Sequence, residues 1–122
     1  MKNDSDTTVQ ELKDLVRDFI HERDWEKYHN PKDIAESICI EAAELLELFQ
    51  WVNAEEASTW VNSPSKFEKI EEELADILVY CLSMANTMKI DVRKAVANKI
   101  MRNEAKYPTE KYRGRAHLDR GK

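Results

Sequence analysis

Three observations in the chain predict an all-α fold. Breakers are scarce, with 2 Gly and 3 Pro among 122 residues, which favours long helices over many short strands joined by turns. Apolar residues recur at three- and four-residue intervals, the period of a helix that buries one face. Helix-capping residues stand just ahead of those stretches, at Thr8, Asn30 and Asp91. The length suits one domain with a modest core. We place that domain at residues 1–108 and a polar tail at 109–122.

Thr8-Val9-Gln10-Glu11 reads as a capping box opening a first helix, with Val9, Leu12, Leu15, Val16, Phe19 and Ile20 on its apolar side. That helix is expected to reach about Glu26. The corner that follows, Trp25 to Pro31, is aromatic and basic. Asn30 as N-cap and Pro31 at the first helical position open the second helix, expected to run to Val52. Residues 53–62 carry little pattern and read as a short helix or a mobile flap. Ser63-Pro64 restarts the chain into a third helix ending near Lys89, and Asp91 caps a fourth that stops before Pro108. The tail, with Lys111, Arg113, Arg115 and Arg120 between Gly114 and Gly121, reads as disordered or as an arm gripping a neighbour.

A net charge of −5 and a pI near 5.3 argue against a nucleic-acid polymer as partner, because that binding needs a basic face. No stretch approaches the roughly 20 apolar residues of a membrane span, and the first residues, Met1 to Asp6, lack an apolar signal region. A cytoplasmic location is expected. Cys39 and Cys81 sit among apolar residues and read as buried, reduced thiols; there is no C-x-x-C pair.

Two helices carry the chemistry. The stripe Ile34, Ile38, Glu41, Leu45, Leu48 puts a glutamate where a core wants a hydrophobe. The stripe Ile70, Glu73, Ile77, Cys81, Met84, Met88 repeats the anomaly, with Asp76 and Tyr80 on its flank. Residues three apart share a helix face, so Glu41 with Glu44, and Glu73 with Asp76, each present two carboxylates side by side. Spacing alone is weak evidence, since Glu44 with Glu47 and Glu68 with Glu71 show the same interval in a chain of 24 acidic residues. Burial distinguishes the chosen pairs: an unpaired buried carboxylate is costly or takes up a proton, and a hard divalent cation offsets that cost.

Four carboxylates on facing helices suit Mg²⁺, with Mn²⁺ as substitute, better than zinc. A di-iron centre is disfavoured, because the Glu-x-x-His it needs on two helices occurs once, Glu26 to His29, at a helix end. Mg²⁺ held by few carboxylates completes its shell with water and phosphate, which makes phosphates the expected substrate groups. Lys99 and Asn103 share a face of the fourth helix and can hold phosphate oxygens, although taken alone they read better as a solvated face. Tyr80 reads as a core hydroxyl or a phosphate ligand. Trp25, Trp51 and Trp60 with His29 can stack on a base, but from composition Trp51 reads as core.

Glu41-x-x-Glu44 followed by Glu73-x-x-Asp76 resembles the signature of the MazG-like all-α nucleoside triphosphate pyrophosphohydrolases. Glu22-Arg23-Asp24-Trp25, Tyr28-His29-x-Pro31, Glu44 through Trp51, and Lys99-x-x-x-Asn103 with Lys106-Tyr107-Pro108 are similar to the dCTP pyrophosphatase branch. The resemblance covers most of the chain. It implies a four-helix bundle assembled as a dimer or dimer of dimers, with sites that borrow residues across subunits. It implies Mg²⁺ on Glu41, Glu44, Glu73 and Asp76, the triphosphate on Lys99, Asn103 and Tyr80, and the base framed by Trp25, His29 and Trp51. The implied reaction is hydrolysis between the α and β phosphates of a (deoxy)nucleoside triphosphate, dCTP or a modified dCTP first, giving the monophosphate and pyrophosphate. Glu44 or Glu47 stands as general base, Glu44 first.

Val16 and Thr87 depart from the polar or basic residues of the vertebrate dCTP enzymes, which leaves the base preference open. Two alternatives remain: phosphoribosyl-ATP pyrophosphohydrolase on the same scaffold, which the Trp-rich corner disfavours, and a helical interaction module whose carboxylates only form salt bridges. Leu46, Phe49, Val79 and Leu82 exceed what one bundle buries and predict symmetric association.

Overall fold

The computed structural model describes residues 2–116, and every element in it is helical; among the described residues there is no strand. The elements are α1 (Val9–Glu22), a 3-10 turn (Glu26–Tyr28), α2 (Pro31–Glu47), α3 (Ala54–Ser58), a second 3-10 turn (Thr59–Asn62), α4 (Pro64–Met88), α5 (Val92–Lys106) and α6 (Thr109–Tyr112). They divide into two compact units, one ending at Ile90 and one beginning at Asp91. No described helix is long and apolar enough to cross a membrane.

In the first unit α4 is the spine: α2 packs along it, and α1 and the second 3-10 turn pack against it. The capping box is formed, with the Glu11 N–H donating to Thr8 Oγ1 at 3.0 Å and the Thr8 N–H to Glu11 Oε1 at 3.4 Å. The first helix ends at Glu22 rather than Glu26, because Asp24 takes a left-handed φ of 54°. The Trp25 N–H then donates to Ile20 O and the Asp24 N–H to His21 O, both at 3.0 Å, which is a Schellman closure. Trp25 packs edge-on against Phe19, 5.8 Å between centroids, the apolar contact that accompanies such a stop.

The second helix also stops early, at Glu47 rather than Val52. Residues 48–52 tighten into three-residue turns, Phe49 stacks on Trp60 at 5.2 Å, and the Asn53 side chain caps the next helix by accepting from the Glu56 N–H at 2.8 Å. The short-helix reading of 53–62 is the one observed, with Trp60 buried as its anchor. Trp51, expected in the core, is 89% exposed instead, since the early stop turns it away from the packed face. Cys39 and Cys81, expected buried, are exposed along α2 and α4.

α4 ends as expected, with Lys89 in a left-handed conformation (φ 56°) and the Ile90 N–H donating to Ala85 O at 2.8 Å. Asn86 Nδ2 donates to Lys13 O, and Lys13 Nζ to Ile90 O, both at 2.9 Å, tying the middle of α1 to the end of α4. The core of this unit is Val16, Ile20, Ile34, Trp60 and Ala85, with one buried polar residue, Ser83.

In the second unit the Asp91 side chain caps α5 by accepting from the Lys94 N–H at 2.8 Å. The tail begins with a turn of helix, α6, in which Tyr112 meets Tyr107 edge-on at 5.1 Å. The part of the predicted disordered or neighbour-gripping tail at residues 117–122 lies outside the described residues.

Candidate active site

α2 and α4 lie side by side, and at their seam α2 brings Glu41 to Glu73 and Asp76 of α4. Oxygen atoms of Glu41, Glu73 and Asp76 all lie within 4.8 Å of one another. Glu41 and Glu73 are half-buried, and one oxygen of each, Oε2, is shielded from solvent without a hydrogen-bond partner among the described residues. Burial first, then hydrogen bonding to Glu44 and the charges of Glu44, Asp76 and Glu73, push the Glu41 carboxyl up to about 6. Burial raises Glu73 as well, assisted by the charges of Glu44 and Asp76.

Glu44 therefore joins the cluster through its effect on both half-buried glutamates while remaining exposed itself. The site is electrostatically incomplete. Oxygen donors only, crowded and partly desolvated, with two atoms unsatisfied among the described residues, could hold a metal ion.

Beside the carboxylates is a cavity of about 460 Å³. Glu41 and Asp76 form its acidic side, while Leu15, Val16 and Phe19 of α1 and Val79 and Tyr80 of α4 supply a largely apolar remainder. Tyr80, which the sequence leaves as a core hydroxyl or a phosphate ligand, stands in the wall. Trp25 and His29 stand one ring behind that wall: Trp25 contacts Phe19, and His29 stacks on Tyr80 at 6.0 Å with the planes 16° apart. His29 Nδ1 lies 2.9 Å from Ser83 Oγ, and burial holds its pKa below the usual histidine value.

Two expected site residues are not brought to the cluster. Glu47, the last residue of α2, is exposed and is not among the carboxylates that close on Glu41. Trp51 projects into solvent. Lys99, exposed, and Asn103, half-buried, lie on α5 in the second unit.

Sequence reasoning missed Leu15, Phe19 and Val79 as cavity wall. The apolar face of α1 is wider than α4 can cover, which was a legible signal. It also missed Ser83, since one serine in an apolar helix carries no pattern. A larger cavity, about 740 Å³, is lined by Arg17, His21, Glu26, His29, Ser83 and Thr87 among others, and includes none of the clustered carboxylates.

The chain is 37% identical over 112 residues to dCTP pyrophosphatase 1 of Bos taurus, an alignment covering 92% of this chain and 66% of that protein. It is 34% identical over 113 residues to dCTP pyrophosphatase 1 of Homo sapiens, covering 93% of this chain and 62% of the other. It thus spans a little under two thirds of the length of the curated relatives it matches. A pyrophosphatase from Archaeoglobus fulgidus, known from its crystal structure, is 44% identical and superposes with a TM-score of 0.72 over 81% of this chain and 91% of that one. The MazG-like family itself matches residues 36–117. That match takes in both carboxylate pairs and the α2–α4 seam that holds them, and with these relatives it shows that the chain belongs to the MazG-like family.

Proposed function

We propose that the protein is a metal-dependent nucleoside triphosphate pyrophosphohydrolase that clears nucleotides from the cytoplasmic pool, with dCTP or a modified dCTP as preferred substrate. The observation that carries this reading is the pair of shielded carboxylate oxygens on Glu41 and Glu73 without partners among the described residues, with Glu41 in the wall of a half-apolar cavity. A nucleotide offers what each side lacks: phosphates to share a cation with the acids, and a flat base for the apolar wall. The names of the relatives support the bond cleaved and the base.

In this reading Glu41, Glu44, Glu73 and Asp76 hold Mg²⁺, and Mn²⁺ substitutes. Bound there, the metal neutralises phosphate oxygens and makes phosphorus more electrophilic. The Tyr80 hydroxyl, with Lys99 and Asn103 of α5, holds the remaining phosphate oxygens.

Glu44, which acts on both Glu41 and Glu73 while open to water, serves as general base in preference to Glu47. It takes a proton from water as the water oxygen bonds to phosphorus; the bridging P–O bond between the α and β phosphates breaks, and pyrophosphate leaves with the bridging oxygen. Trp25 and His29 back the base pocket through Phe19 and Tyr80. Trp51, exposed, is free to frame a base in a neighbouring subunit. Leu46 and Ile40, 68% and 58% exposed, support association into a dimer or tetramer.

The test is pyrophosphate release from a panel of (d)NTPs, 5-methyl-dCTP included, with Mg²⁺ or with EDTA, alongside phosphoribosyl-ATP. Metal-dependent release led by dCTP or its 5-methyl form is expected. Turnover of phosphoribosyl-ATP alone replaces the substrate. No turnover, together with a melting temperature that Mg²⁺ leaves unmoved, leaves the interaction module standing, because a ligand bound only by the native state must raise it.

A further inference from the structure

Ser83 is 2% exposed, a hydroxyl among the most buried side chains of the chain. A hydroxyl in such a place needs a partner. Its oxygen lies 2.9 Å from His29 Nδ1. One helical turn further along α4, Thr87 Oγ1 donates to the His29 carbonyl oxygen at 3.2 Å. Two hydroxyls four residues apart on one helix therefore hold both the ring and the backbone of a single histidine. That ring lies nearly parallel to Tyr80, which forms part of the wall beside Glu41 and Asp76.

Either group can donate in this contact, and which one does sets where the imidazole carries its hydrogen. A serine within a helix often donates to the carbonyl four residues back, but among the described residues the partner of Ser83 Oγ is His29 Nδ1. A hydroxyl has one proton to give, and a neutral imidazole has one nitrogen able to accept it. With His29 Nδ1 the partner of this buried hydroxyl among the described residues, donation by Ser83 satisfies its proton; Nδ1 then accepts and the ring hydrogen lies on Nε2. Partial burial favours the uncharged ring at neutral pH.

We propose that Ser83, supported by Thr87, is a positioning residue that holds His29 as the Nε2–H tautomer and keeps its ring stacked on Tyr80, so that the cavity wall beside Glu41 and Asp76 is held in place for the nucleotide. The inference rests on the nucleotide reading above and deepens it. It assigns His29 a positioning role that reaches the substrate through its stacking on Tyr80. It also gives Thr87 a purpose, which sequence comparison left as a departure.

The test has two arms on the full chain. Side-chain ¹⁵N NMR of His29 at neutral pH reads the tautomer directly, in the wild type and in Ser83→Ala, with circular dichroism confirming that the helices persist. Steady-state kinetics with dCTP and Mg²⁺ read the consequence. Expected are Nε2–H in the wild type, a tautomer mixture in Ser83→Ala, and a KM raised about three- to tenfold with kcat within about twofold, the range a neutral hydrogen bond supports. Ser83→Thr, which keeps the hydroxyl, restores the tautomer and the KM. A hydrogen on Nδ1 in the wild type overturns the proposal without any variant. An unchanged tautomer or an unchanged KM in Ser83→Ala also overturns it. If the wild type turns over no nucleotide, the functional reading has failed, while the NMR arm still decides whether Ser83 sets the tautomer.

Discussion

Glu41 and Asp76 reach the same small volume from different helices, and each faces charge of its own sign. Such a cluster is held for a ligand rather than for the fold, so removing one acid relieves repulsion. Asp76→Ala is expected to keep its helical content and melting temperature in EDTA while losing pyrophosphate release by two orders of magnitude or more, on the order of what one electrostatic partner contributes to catalysis. Full activity in that variant sinks the assignment.

The raised pKa of Glu41 has a sign that can be checked. Its folded value, about 6, stands above the usual 4.5, so between those values the folded state binds more protons than the unfolded one. The contribution of Glu41 to stability is present below about pH 4.5 and is lost as pH rises through about 6. Denaturant titrations of the metal-free protein should show this decline, relative to Glu41→Gln, which lacks the titrating group. Metal affinity should rise over the same window, as the cation displaces a proton. A wild type and a Glu41→Gln variant with parallel pH profiles would falsify the assignment of that proton.

Helix ends decide where these acids point. α4 stops at Lys89, a residue with a Cβ held at a φ of 56°, and such a conformation is costly for anything but glycine. Lys89→Gly should stabilise the protein by about 1 kcal/mol in chemical denaturation. The sharp end of α2 depends on Phe49 folding back onto Trp60, which is 7% exposed with Lys66 Nζ 4.9 Å above its ring. Trp60→Ala removes that anchor and should cost about 3–5 kcal/mol, read as a lower denaturation midpoint. Loss at this anchor should also loosen the turn after Glu47 and with it the orientation of Trp51.

The chain as a whole leaves much apolar surface open. Ile40 and Leu46 on α2, with Leu74 and Leu78 on α4, are each between 47% and 68% exposed. Water tolerates scattered apolar residues, but two adjoining helices carrying several is the pattern of a surface that pairs. Light scattering should find a dimer or tetramer, and Leu46→Glu should shift it toward a smaller species. A monomeric wild type would remove the subunit-borrowing part of the proposed site, and would leave Trp51 without a role.

The all-α class, the caps at Thr8, Asn30 and Asp91, and the pairing of Glu41 with Glu44 and of Glu73 with Asp76 were all legible in the sequence. They depend on contacts within a few residues, which spacing and capping chemistry encode directly. Tertiary structure decided the rest. Where α1 and α2 end was set by rings packing back, Trp25 on Phe19 and Phe49 on Trp60, from partners that no local pattern names. That Glu41 of α2 converges with Glu73 and Asp76 of α4 within 4.8 Å, that Phe19 and Val79 wall a cavity rather than fill a core, and that Ser83 reaches His29 across 54 residues of chain are outcomes of helix packing. Such contacts have no period to read, because the chain that separates the partners carries no trace of their distance in space.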